Sequence, residues 1–175
     1  MTKKYPLVLL ILSILLFIFC FGVYKLDKYY NRTNTSLSQQ ETQITTYLVA
    51  HLENTPRLST NQKLTLGSGY FALGRYDDAI KTFKIAAKKD NRANWGLALV
   101  YDKLEKPELV IKHTDLILED IPPLSEENKN VQMQLFYQLR AEAHWKTRNY
   151  WGWFIDNCKF LKYAILSNDF PAFLQ

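Results

Sequence analysis

The chain is poor in the residues that break helices and in those that staple small folds. Six glycines and six prolines among 175 residues are too few for a turn-dense β protein, so helices are expected. Two cysteines exclude a disulfide framework: Cys20 lies inside an apolar run, and Cys158 would have to enter a bilayer to meet it. The three histidines, His51, His113 and His144, stand far apart, with no H-E-x-x-H and no C-x-x-C, so no metal site is expected. Gly67-Ser68-Gly69 followed by Gly74 has no strand before it and no Lys-Ser/Thr after it, which removes the phosphate-loop reading. Asp77-Asp78 and Glu126-Glu127 sit at helix starts, as dipole partners rather than acid/base pairs. These absences predict no catalytic residue, no cofactor and no small-molecule substrate, and the chain reads as not an enzyme.

A basic face is missing too, although the pI is near 9.1. Residues 1–32 carry Lys3, Lys4, Lys25, Lys28 and Arg32 against Asp27, a net +4. Residues 33–175 carry 17 basic and 16 acidic side chains, a net +1. The excess flanks an apolar run, where cations meet headgroups, and a phosphate-tracking surface is not expected. Nucleic acid is therefore not an expected partner.

What is present begins with that run. Tyr5 to Tyr24 is twenty residues without a charge, long enough as a helix to cross the roughly 30 Å hydrocarbon layer. Pro6 falls in its first turn, and Tyr5 and Tyr24 fall at the two interfaces. A cleaved signal peptide is the competing reading, but the run is long for one and no small-x-small pair follows it. Residues 5–24 are thus read as a transmembrane helix, with 1–4 as a cytoplasmic flank in the manner of a signal anchor. The flanking charges are nearly balanced between the two sides. Residues 25–56 read as a polar tether, with a short helix over 44–52 that uses Ile44, Leu48 and Leu52.

Over the full chain, 47% hydrophobic and 14% aromatic residues are too many for a disordered protein, so a packed core is expected, and residues 57–175 read as an all-α domain. Thr60 to Leu73 has helical spacing and Gly74 supplies a left-handed stop. A second helix follows, opened by Asp77 and Asp78 and closed by Lys88 and Lys89, with Ile80, Phe83 and Ala87 on its stripe. The two make an αα-hairpin. Pro107 opens a helix in a second pair, and a long helix from Ser125 to about Lys146 starts a third.

Leu66-Gly67-x2-Tyr70 with Gly74-x-Tyr76-x2-Ala79-x3-Phe83-x2-Ala86 resembles a tetratricopeptide repeat. A weaker second copy places Leu97-Ala98-x2-Tyr101 on the first helix, Val110 and Ile117 on the second, and Thr114 in place of the Phe. In a third, Ala141 takes the small-residue place, Tyr150 matches Tyr76, and Trp153 and Asn157 replace Ala79 and Phe83. The expected fold is a transmembrane helix followed by a short α-solenoid of about three hairpins.

The resemblance implies a concave face, lined by the first helix of each pair, that holds a peptide or a helix of a partner. By position Ser68, Phe71, Trp95, Leu99, Asp102, Gln138, Glu142 and Trp145 would line it; for Phe71, Trp95 and Trp145 taken singly a core role is the favoured reading, and jointly they are the best candidates for the groove. The family's carboxylate clamp is absent, because its places hold Leu64, Ser68, Gly96, Leu135 and Leu139. Tyr150, Trp151, Trp153 and Phe154 form a candidate aromatic patch, for which a cap closing the end of the superhelix is the favoured reading. The whole is similar to bitopic repeat proteins of bacterial inner membranes. That implies a single-pass protein with its domain outside the cytoplasm, recruiting another membrane or envelope protein during assembly, secretion or maturation. The alternative is a small structural subunit buried in a permanent complex, with no groove in use.

Overall fold

Ser59 begins the clearest local signal in the domain. Its Oγ accepts from the Gln62 N–H at 3.3 Å while the Gln62 side chain accepts from the Ser59 N–H at 2.9 Å, a complete capping box. The helix it opens is one of seven in the computed structural model, which describes residues 39–121 and 126–166. In chain order these are α1 (Gln39–Glu53), α2 (Thr60–Ala72), α3 (Tyr76–Ala86), α4 (Arg92–Lys103), α5 (Pro107–Glu119), α6 (Glu126–Lys146) and α7 (Tyr150–Leu166). No strand occurs among the described residues, and the fold is all-α. None of these helices is long and apolar enough to cross a membrane, and the expected span at 5–24 lies outside the described residues.

The helices pack in consecutive pairs, α2 with α3, α4 with α5 and α6 with α7. The same turn closes all three. Gly74, Glu105 and Arg148 each adopt positive φ, at 73°, 54° and 59°. The N–H of the following residue then reaches back five residues, from Arg75 to the Tyr70 carbonyl, Lys106 to Tyr101 and Asn149 to His144. This is the Schellman arrangement, which satisfies carbonyls the helix end would leave orphaned. It sets Gly67, Ala98 and Ala141 in equivalent places, the register the sequence spacing predicts. Only the first turn uses glycine, so two hairpins carry the cost of a side chain in the left-handed region.

Small residues decide how closely the helices approach. Ala79 and Ala86 on α3 and Ala93 and Ala98 on α4 are fully buried. Phe83 projects from α3 between Gly67 of α2 and Gly96 of α4: a Cβ on either glycine would stand 2.7 or 2.6 Å from Cε1 of the ring. A larger residue at either place would push the ring out of its slot. Val110, Thr114 and Ile117 fill the corresponding face of α5, and the Thr114 hydroxyl is satisfied by donating to the Val110 and Ile111 carbonyls, each at 2.9 Å.

Two expectations are corrected. The stretch expected as tether is helical from Gln39, because Gln40 and Glu41 suit a first helical turn and Val49 and Leu52 bury the far end of the same helix. Its buried stripe is Val49 and Leu52, whereas Ile44 and Leu48 are exposed. Val49 wins because Gly69 of α2 leaves room for it: a Cβ there would lie 2.6 Å from its Cγ2. Tyr70 Oη donates to Glu53 Oε1 at 2.9 Å, and Arg75 pairs with the same carboxylate at 3.0 Å, tying α1 to the first hairpin.

Candidate partner-binding groove

Four of the predicted groove residues converge. Ser68 and Phe71 on α2 and Trp95 and Leu99 on α4 line a depression of about 250 Å³, with Leu64 and Gly96 on its walls and the Phe83 ring in its floor. The floor depends on the two glycines, since Phe83 belongs to the outer helix and reaches the groove only through the gap they leave. Trp95 is half-buried, with one face packed on Phe136 of α6 at 4.8 Å between centroids. Phe71 tilts against Tyr76 at 6.0 Å. Both aromatics therefore have one side in the core and another on the depression. A preset aromatic wall of this kind supplies apolar contact area without ordering cost on binding.

Arg92 stands on the rim and was not among the residues expected there. Its guanidinium donates to both oxygens of Asp90, at 2.6 to 3.0 Å, and to Asn61 Oδ1 of α2 at 2.7 Å. The Asp90 hydrogen bonds and charge hold Arg92 above the ordinary guanidinium pKa and Asp90 below the ordinary carboxylate range. A cation is thus fixed at one end of an apolar depression. The start of α4, two residues after an acidic side chain, was the available sequence signal.

The other expected positions do not line this depression. Asp102 accepts from Lys146 Nζ at 3.1 Å, a link from α4 to the end of α6, and Gln138 bonds to Glu142 at 3.5 Å along α6. Trp145 is 55% exposed and packs with Tyr150 and Trp153, at 5.3 and 5.4 Å, beyond the groove. The aromatic segment is more open than a cap would be. Tyr150 is 56% and Trp151 72% exposed, with Trp151 stacked on Phe154 at 5.8 Å, while Phe160 alone of the large aromatics near this end is fully in the core. The packing that a cap needs is taken instead by Phe160, Ala164 and the buried polar pair Asp156 and Asn157.

Asp156 anchors a charged cluster that the sequence reading passed over. Its carboxylate takes two bonds from Arg140, at 2.8 and 2.7 Å, and Arg140 also binds Asp115 of α5. Burial works against the Arg140 charge, but Asp156 and then Asp115 outweigh it and keep the guanidinium above its ordinary pKa. His144 lies 3.6 Å from Asp156, yet burial holds its pKa below the ordinary value. The cluster joins α5, α6 and α7, and its Asp115 and Arg140 line a second, open depression together with Tyr137 and Lys159. Among the described residues no three His, Cys, Asp or Glu side chains come close enough together to hold a metal ion.

The chain matches no protein-family model and no curated protein.

Proposed function

We propose that this protein is a membrane-anchored, non-catalytic scaffold of the tetratricopeptide-repeat kind, whose groove between α2 and α4 recruits a partner protein during assembly, secretion or maturation of an envelope complex. The observation that carries the reading is the apolar depression walled by Phe71, Trp95 and Leu99 with a fixed Arg92 at its rim. Its size suits one or two side chains of a peptide or helix rather than a whole cofactor. The repeat part is supported by the three identical turns and by the small residues around Phe83. The anchor part is supported by the uncharged run at 5–24, long enough as a helix to cross the hydrocarbon layer.

The test uses the full chain in its membrane. A photoreactive residue at Ser68, exposed in the groove, should capture a defined partner that the same residue at Lys81, exposed on α3, does not. Ser68→Arg fills the depression without touching the core, and should weaken co-purification of that partner with the full chain by about tenfold or more, equivalent to ~1.4 kcal/mol. Trp95→Ala should cost as much or more, as an aromatic anchor does. Identical capture from both positions, or co-purification untouched by Ser68→Arg, would refute the groove.

A further inference from the structure

The last helix is apolar on the side that faces away from its neighbours. Along α7, Trp151, Phe154, Cys158, Lys162 and Ile165 follow one another at spacings of three and four, and all are exposed. Tyr150 and Leu166 extend this stripe at its two ends, while Asp156, Asn157, Phe160 and Ala164 take the opposite, buried side. Such a helix presents two apolar faces, one satisfied by the core and one left open.

We propose that the open face of α7 lies in the headgroup–acyl boundary of a lipid bilayer, as a second membrane contact of the domain. Three observations favour lipid over a protein surface. The stripe combines Trp, Tyr and Phe with lysine, the chemistry of the membrane interface, where amphipathic rings and basic side chains are both accommodated. Between Trp145 and Leu166 the only carboxylate is Asp156, which is buried and bound by Arg140, while Arg148, Lys159 and Lys162 are exposed. That leaves the face complementary to anionic headgroups. The third is chain length. Fourteen residues, 25–38, separate the apolar run at 5–24 from Gln39, so the domain cannot start more than about 50 Å from the bilayer even with that segment drawn out. A tethered surface is met at high effective concentration, and a weak interfacial affinity is then enough.

The inference rests on the reading of residues 5–24 as the anchor, and the experiment separates the two. All four tryptophans, Trp95, Trp145, Trp151 and Trp153, lie in the helical domain, so their emission is blind to the apolar run. The full chain is reconstituted into phosphatidylcholine–phosphatidylglycerol vesicles with brominated acyl chains. One variant keeps only Trp151 (W95F, W145F, W153F) and one keeps only Trp95 (W145F, W151F, W153F). Trp151 should be quenched several-fold more strongly than Trp95, and Lys159→Glu with Lys162→Glu should reduce that quenching. If a triple substitution disturbs the helices, the loss of quenching on W151F alone gives the same answer. A chain that stays in the vesicles through alkaline extraction while Trp151 remains solvated and unquenched overturns the lipid contact but leaves the anchor standing. Trp151 shielded from water yet unquenched means that protein covers the face, either a second copy or residues 167–175, and also overturns it. A chain stripped from the vesicles by alkaline extraction overturns anchor and contact together.

Discussion

The slot that holds Phe83 can be tested by closing it from one side. In Gly96→Ala the new Cβ would stand 2.6 Å from Phe83 Cε1, about 1 Å inside the ordinary 3.5–4.0 Å carbon contact. Room for the ring to retreat towards α2 is small, because Gly67 also approaches it closely: a Cβ there would lie 2.7 Å from the same atom. Overpacking of this sort costs about 1–3 kcal/mol. Alanine in place of glycine within a helix returns about 1 kcal/mol. The net effect is a loss of about 1 kcal/mol, small enough to be mistaken for other causes if measured alone.

Phe83→Leu removes the ring atoms that collide, so in that background only the helical gain of Gly96→Ala should remain. The sign of the substitution should therefore invert, with a coupling between the two sites of about 1–3 kcal/mol. Urea unfolding of the full chain in mild detergent, followed by tryptophan emission, reports on the helical domain alone because no tryptophan lies before residue 95. With a slope near 2 kcal/mol/M, each kilocalorie moves the midpoint by about 0.5 M. Coupling under about 0.5 kcal/mol would mean that the slot yields freely and that the glycines are not there to admit the ring.

The remaining predictions concern turns, charges, groove and lipid. Glu105→Gly relieves a left-handed residue and should raise stability by about 0.5–1 kcal/mol, whereas Glu105→Ala should not; equal urea midpoints for the two variants would refute the strain. Arg140→Met leaves the buried Asp156 carboxylate without its partner and should cost about 3–5 kcal/mol, while Arg140→Met with Asp156→Leu should recover most of it. A single variant as stable as the double in urea would show that Asp156 does not need the guanidinium. Ser68→Arg should release the partner captured through the groove, and Trp151 emission should respond to brominated lipid.

The parts of this fold that were legible in the sequence are those set by neighbours along the chain. Gly74 at a helix end, Pro107 at a helix start and the spacing from Gly67 to Phe83 each act within a turn or a hairpin, and the structure places them as the spacing predicts. The capping box at Ser59 and Gln62 was equally local and was there to be found. What could not be read is what depends on distant partners. Ile44 and Leu48 looked like the apolar stripe of α1, but Val49 is buried because Gly69 makes space for it twenty residues later. Asp156 did carry a signal, a carboxylate set among Trp153, Phe154, Ile155 and Phe160 that would have to find a cation if buried. Nothing in that segment points to Arg140 as its partner. The groove shows the same division. The sequence register brought Ser68, Phe71, Trp95 and Leu99 together, because positions on equivalent helices are a matter of period. It extended the line to Trp145 only by assuming that the third hairpin continues the second, and there the period fails, with 43 residues from Ala98 to Ala141 against 31 from Gly67 to Ala98. The longer third hairpin keeps Phe136, Tyr137 and Phe160 in the core but leaves Trp145, Tyr150, Trp151 and Phe154 exposed away from the groove, so a hairpin that departs from the expected period is where a second use of the surface should be sought.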